Sequence, residues 1–374
     1  MSIRERILSA YRGETPDVVP YMGDLSHWFY ATFRRLWDLS QPYEEPEYAL
    51  IDYHKKAGVG FYIPNLAAFY SAQYGDEVKS EVEKHYRNGN PEITWRLTTP
   101  LGVIERTRIW EERSYSWAIG EWGVKTERDL CVLGYALGSR TYAPLWERFQ
   151  AWSDYVGEDG VVYLSTGYSA MGYLLSLWMG VEGTVFAAND WRNTLHEVVE
   201  RINANGLELV NLLATSPADV IIMGDNFSAD IQPPHFFNEW SRAYYTEAIR
   251  RLHAAGKFVA VHIDGRLGGA ITMIRNAGAD FADGVTPTPT GDLTPLQCRQ
   301  EAGRDFGLSG GIPSTLWLPE VSVESFKKAV IEWLELRRHS PRLIATPGEQ
   351  VPPGAVEDRI RIARDLIEEH GKYE

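Results

Sequence analysis

From residue 161 onward the chain alternates short, continuous apolar runs with long amphipathic segments, and few folds accept that rhythm. Apolar runs at 161–164, 220–223, 258–261, 281–285, 306–308 and 343–345 are separated by helical patterns, clearest at 191–213, 234–255, 267–277, 323–338 and 355–370. A short run with no polar interruption suits a strand buried on both faces, the habit of a parallel sheet covered by helices. Two weaker candidates, 18–22 and 58–63, bring the strand count to eight. Eight β/α units in 374 residues point to an α/β fold, the (β/α)8 TIM barrel, with an open doubly wound sheet as the alternative. Residues 2–12 read as an amphipathic helix closed by Gly13 and Pro16, an N-terminal helical extension. Further helical patterns cover 26–37 and 45–57. Residues 94–97 and 102–109 flank Thr99-Pro100-Leu101-Gly102 and predict a β-hairpin insertion. The whole chain, 1–374, is expected to be one domain.

Charge and cysteine content narrow the function classes. With 51 acidic and 37 basic side chains the net charge is −14, which argues against nucleic acid as the main partner. Cys131 and Cys298 can build neither a disulfide framework nor a four-cysteine zinc knot, and a reducing cytoplasm fits best. The first residues lack the apolar core of a signal peptide. Residues 161–181 contain no charge, but they divide into a strand at 161–164 and a buried helix at 170–179, so no membrane span is expected.

In a barrel, residues that follow the strands meet at one mouth, where the chemistry lies. That rule collects Asp24 and His27, then Thr166, Tyr168 and Tyr173, then Asp225 and Asn226, then His262 and Asp264, then Asp283, Ser309, Thr346 and Glu349. The sharpest local motif is Val261-His-Ile-Asp-Gly265. Strand alternation sends His262 and Asp264 to one face, and an imidazole beside a carboxylate suits a divalent metal; the alternative is that Asp264 orients His262 or caps the next helix. Gly265-Arg-Leu-Gly268-Gly269 has the wrong spacing for a dinucleotide loop. The aromatic N-terminal third (Trp28, Phe29, Tyr30, Phe33, Trp37, Phe61, Tyr62, Phe69, Tyr70) either walls a pocket for an apolar substrate or is ordinary core.

Together these motifs resemble the uroporphyrinogen decarboxylase superfamily, which includes cobalamin-dependent methyltransferases. The resemblance is carried by residues 4–20, Gly167-Tyr-Ser-Ala-Met-Gly-Tyr173, Gly224-Asp-Asn-Phe, Pro233-Pro-His-Phe-Phe, Val261-His-Ile-Asp-Gly265, Ser309-Gly-Gly-Ile-Pro313 and Thr346-Pro-Gly-Glu-Gln-Val-Pro-Pro353. It implies the same barrel. The decarboxylases' arginine-rich loop after the first strand is replaced by Tyr21-Met-Gly-Asp-Leu-Ser-His27, and Glu349 stands where their late histidine would be. In the methyltransferases a His-x-Cys pair and a distant Cys hold zinc; here His262-Ile-Asp264 falls on the first pair and Glu349 on the last ligand.

The resemblance therefore implies a demethylase-type methyltransferase that moves a methyl group between a small methylated substrate and a corrinoid protein or other carrier. Zinc or another divalent metal would sit on His262, Glu349 and Asp264. Asp225, Tyr173 and Asp24 would be catalytic, and His27, Tyr168, Asn226 and Ser309 would bind substrate. The alternative is a metal-independent decarboxylase or lyase acting on a smaller acid. A homodimer is left open.

Overall fold

A computed structural model describes residues 1–36, 38–41, 43–64 and 68–373. Six parallel strands, Leu164–Ser165, Val220–Phe227, Phe258–Ile263, Phe281–Val285, Gly307–Gly311 and Leu343–Thr346, pair in chain order. The two weaker N-terminal candidates close the ring. They form isolated bridges rather than long ladders: Tyr21 pairs with Ala345, Met22 with Gly60, and Phe61 with Gly160, all parallel. Backbone hydrogen bonds run across each seam, from Met22 N to Ala345 O (3.1 Å), Gly60 N to Tyr21 O (2.9 Å), and Val161 N to Phe61 O (3.0 Å). The result is a closed eight-stranded α/β barrel, as the apolar runs predict.

The alternation of the strands decides what faces the axis. Val161, Tyr163, Val220, Ile222, Ala260, Phe281 and Ile344 form the inner layer with Met22 and Tyr62. Ile221, Met223, Val259, Val261, Ala282 and Leu308 face outward into the helical shell. The helix Ile3–Arg12 closes the lower end. Ser2 caps it through Oγ to the Glu5 amide, and Gly13 ends it in the left-handed region at φ 75°. Its Ile7, Ala10 and Tyr11 enter the barrel floor, with the Tyr11 ring 4.2 Å from that of Phe281.

Three sequence expectations need correction. The hairpin exists, with Thr99 opposite Gly102, but it is the centre of a four-stranded antiparallel sheet formed with Lys79–Arg87 and Ser116–Glu121. The outer strand Lys79–Arg87 is almost wholly exposed and charged, so it carries no apolar alternation to read. The helix expected over 234–255 is two helices, Pro234–Trp240 and Arg242–Ala254, broken at buried Ser241, whose hydroxyl donates to Gln232 at 2.6 Å. The helix expected over 26–37 covers Ser26–Thr32, and Trp37 lies outside the described residues. The buried segment at 170–179 is helical as expected, with a π-helical stretch over Tyr173–Trp178. No helix among the described residues is long and apolar enough to cross a membrane.

Candidate active site

The inner-face register continues upward from the apolar layer into polar residues. Phe281 lies opposite Ala260, and two residues on, Asp283 lies opposite His262. By the same alternation Ser165 follows Tyr163, Gly224 follows Ile222, and Asp264 follows His262. These ends open into a cavity of about 660 Å³ lined by Asp24, Tyr62, Ser165, Tyr168, Asn226, His262, Asp264, Glu349 and Gln350, among others.

His262 is at the centre of its chemistry. Its Nδ1 lies 3.1 Å from Asp283 Oδ2, and Asp283 Oδ1 accepts a hydrogen bond of 3.1 Å from Ser309. Ser309 is fully buried and Asp283 nearly so. The other ring nitrogen, Nε2, faces Glu349 Oε2 at 3.6 Å, beyond hydrogen-bond range. Room for the ring is made by Gly284: a Cβ there would sit 2.8 Å from His262 Cε1, and the residue holds φ +77°. Glu349 rides on the turn after the last strand, where the Gly348 amide donates to Thr346 Oγ1 at 3.1 Å. Its Oε1 is buried without a hydrogen-bond partner.

Burial opposes the charge on His262, but Glu349, Asp283 and Asp264 outweigh it and push the imidazolium up to about 9. Burial likewise drives the Glu349 carboxyl up to about 8; His262 pulls it down, while Asp264, Asp283 and Asp24 oppose ionisation. The two groups are coupled through their charges, and both are raised toward the alkaline side of neutrality. Across the cavity, Asp24 accepts from the Ser26 amide (2.9 Å) and hydroxyl (2.6 Å) and from Gln350 Nε2 (2.8 Å).

Asp24, Tyr168, Asn226, His262, Asp264 and Glu349 thus meet around one space. Ser309 is not on the cavity wall but stands beneath it, bonded to Asp283. Asp225 has the opposite strand parity from Gly224 and turns outward. It is buried and accepts from the Ser169 amide (2.7 Å) and the Tyr245 hydroxyl (2.8 Å). Its carboxylate fits so closely against Gly172 that a Cβ there would lie 2.2 Å away. Asp225 therefore anchors the start of the helix that carries Tyr173. The Tyr173 hydroxyl accepts from Arg140 at 2.6 Å and stands behind Gly167. His27 Nε2 lies 3.0 and 3.1 Å from the carbonyls of Ser114 and Tyr115, at the contact with the insertion. The sequence names Tyr62 only within the aromatic set that walls a pocket or forms core, and it marks neither Gln350 as a liner nor the positioning work of Asp283. Strand alternation was the available signal for Asp283, which stands two residues beyond Phe281 and so on the same face.

The donor set gives a direct test of the metal expectation. His262 Nε2 and Glu349 supply one nitrogen and one carboxylate. Asp264 is exposed and accepts from the Gly265 amide at 2.6 Å, and no group of three potential ligands converges among the described residues. Protein zinc sites take three or four side-chain ligands, so this set is incomplete.

Residues 169–370 match the family model for uroporphyrinogen decarboxylase (URO-D), which is over half of the chain. The chain belongs to the uroporphyrinogen decarboxylase family. Members of this superfamily are enzymes, and the cavity at the barrel mouth is accordingly its candidate active site. The uroporphyrinogen decarboxylase match takes in His262, Asp283, Ser309 and Glu349, while Asp24, Tyr62 and the four-stranded insertion lie before it. A comparison with curated proteins gives no match.

Proposed function

We propose that this protein is a demethylase-type methyltransferase that takes a methyl group from a small methylated substrate, in the first place a methylated amine, and passes it to a corrinoid protein or another nucleophilic carrier. One observation carries the reading. The charged side chains lining the cavity, among the described residues, are Asp24, Asp264, Glu349 and His262, with no lysine or arginine. Such a wall attracts a cationic or neutral molecule and repels one bearing carboxylates.

The residues then have definite tasks. Asp24, fixed by Ser26 and Gln350, holds the ammonium head by charge, and Glu349 adds its own charge once it has lost its proton. Asp283 fixes His262 through Nδ1, so Nε2 is the atom turned to the cavity. As the methyl group moves to the nucleophile, the C–N bonding pair stays on nitrogen and a neutral amine leaves. With a methoxy donor, the departing oxygen needs a proton, and the His262–Glu349 pair holds one there.

The family match favours a second reading, a decarboxylase or lyase for a smaller acid. It needs Asp24 and Asp225 as acid–base groups and a cation for the substrate carboxylate. The outward position of Asp225 and the composition of the cavity wall weigh against it.

The test is a panel of methylated amines and methoxy compounds incubated with the protein and reduced cobalamin, followed by the absorbance change on methylcobalamin formation. We expect methyl transfer from an amine, weakened by Asp24→Asn, and, with a methoxy donor, transfer lowered at least about 100-fold by His262→Ala. Carbon dioxide release from small acids, without methyl transfer, would replace this reading by the second one.

A further inference from the structure

A second cavity of about 580 Å³ adjoins the first, and Ser165 belongs to the walls of both. Its character is different. Phe69, Tyr70, Ala72, Leu145 and Leu164 supply most of its wall. Its one charged liner among the described residues, Arg148, donates to Ala68 O at 3.1 Å and stands 3.5 Å from Glu44. Phe69 and Leu164 are buried beneath it, while the two-stranded sheet of Tyr70–Gln73 and Thr141–Pro144 runs along its edge. Ser165 is small, its hydroxyl accepts from the Gly167 amide at 3.0 Å, and the Tyr70 hydroxyl stands near Gly167 on the apolar side. An acidic chamber and an apolar chamber therefore meet across one serine.

We infer that the substrate is bipartite: a methylated ammonium head lies in the acidic chamber at Asp24 and Glu349, and an apolar group about the size of an aromatic ring lies in the chamber walled by Phe69, Leu145 and Leu164. The inference rests on the amine reading of the acidic chamber and adds the tail. Burial of a ring against these side chains supplies affinity that a bare methylamine lacks. Ser165, the residue shared by both walls, then sets specificity where the two parts of the substrate join.

Isothermal titration with three probes tests it without any need for turnover. The probes are tetramethylammonium, benzyltrimethylammonium and toluene. Wild-type protein should bind benzyltrimethylammonium at least about tenfold more tightly than tetramethylammonium. Leu145→Trp and, separately, Ala72→Trp should fill the apolar chamber and bring the two cations within about twofold, with tetramethylammonium binding unchanged. Glu349→Gln should weaken both cations. Equal affinity of the two cations for wild type, or a benzyl advantage that survives both tryptophan variants, overturns the bipartite substrate. Toluene binding that Leu145→Trp abolishes, with no gain from the cationic head, sinks the amine reading itself. Absence of binding by all three probes overturns both.

Discussion

His262 is gripped from below by Asp283 at 3.1 Å and left free at Nε2, which faces Glu349 at 3.6 Å. The two grips are unequal in kind. Asp283 is buried, bonded to Ser309 and in strand register with His262, so it fixes the ring. Glu349 lies on a turn and completes the cavity wall.

Asp283→Asn removes one of the charges that raise the His262 imidazolium to about 9. The His262 titration, followed by histidine NMR signals, should move to lower pH. Activity should fall about 10- to 100-fold, as when the partner that orients a working imidazole is lost. A titration unchanged from wild type would show that Asp283 does not act on the ring.

Gly284→Ala places a Cβ 2.8 Å from the His262 ring and 2.6 Å from Ile263 O, on a backbone at φ +77°. Left-handed strain and overpacking together should cost about 2–4 kcal/mol in chemical denaturation. Binding of tetramethylammonium should weaken in the surviving folded protein. A variant as stable as wild type would mean that the strand end shifts freely.

His54 is buried against Phe61, with Nδ1 3.1 Å from Val59 O, and burial lowers its imidazolium to about 4. The unfolded chain binds that proton near 6.5, so folding excludes it. Stability should therefore be full above about 6.5 and fall as pH drops toward 4, by roughly 3 kcal/mol in all, with no further contribution from this group below. Urea denaturation of His54→Gln across that range should show a flatter profile. An equally steep profile would assign the acid sensitivity to other groups.

Zinc titrated into the metal-free protein should bind weakly, because His262 and Glu349 offer two donors and Asp264 is turned to the Gly265 amide. Stoichiometric zinc that survives dialysis, and that His262→Ala or Glu349→Gln releases, would instead establish the metal expectation drawn from the methyltransferase resemblance.

The sequence by itself determined the class of fold. Uninterrupted apolar runs such as 220–223 and 258–261 have only one stable use between long amphipathic helices, a parallel strand covered on both sides. It also located the ends of those strands, and so placed His262, Asp264, Glu349 and Asp24 at one mouth. What it could not supply was parity and closure. Asp225 follows its apolar run as plainly as His262 follows its own, yet one residue of register turns it outward to Ser169 and Tyr245. The seams at Tyr21–Ala345 and Phe61–Gly160 rest on isolated bridges, so 18–22 and 58–63 show only as weak strand candidates whose pairing the sequence does not give. The exposed strand Lys79–Arg87 buries too little to show one. Only the tertiary structure decided these points, because register is set by how a strand pairs with distant neighbours, and a local run of residues carries no record of which face its neighbours leave open.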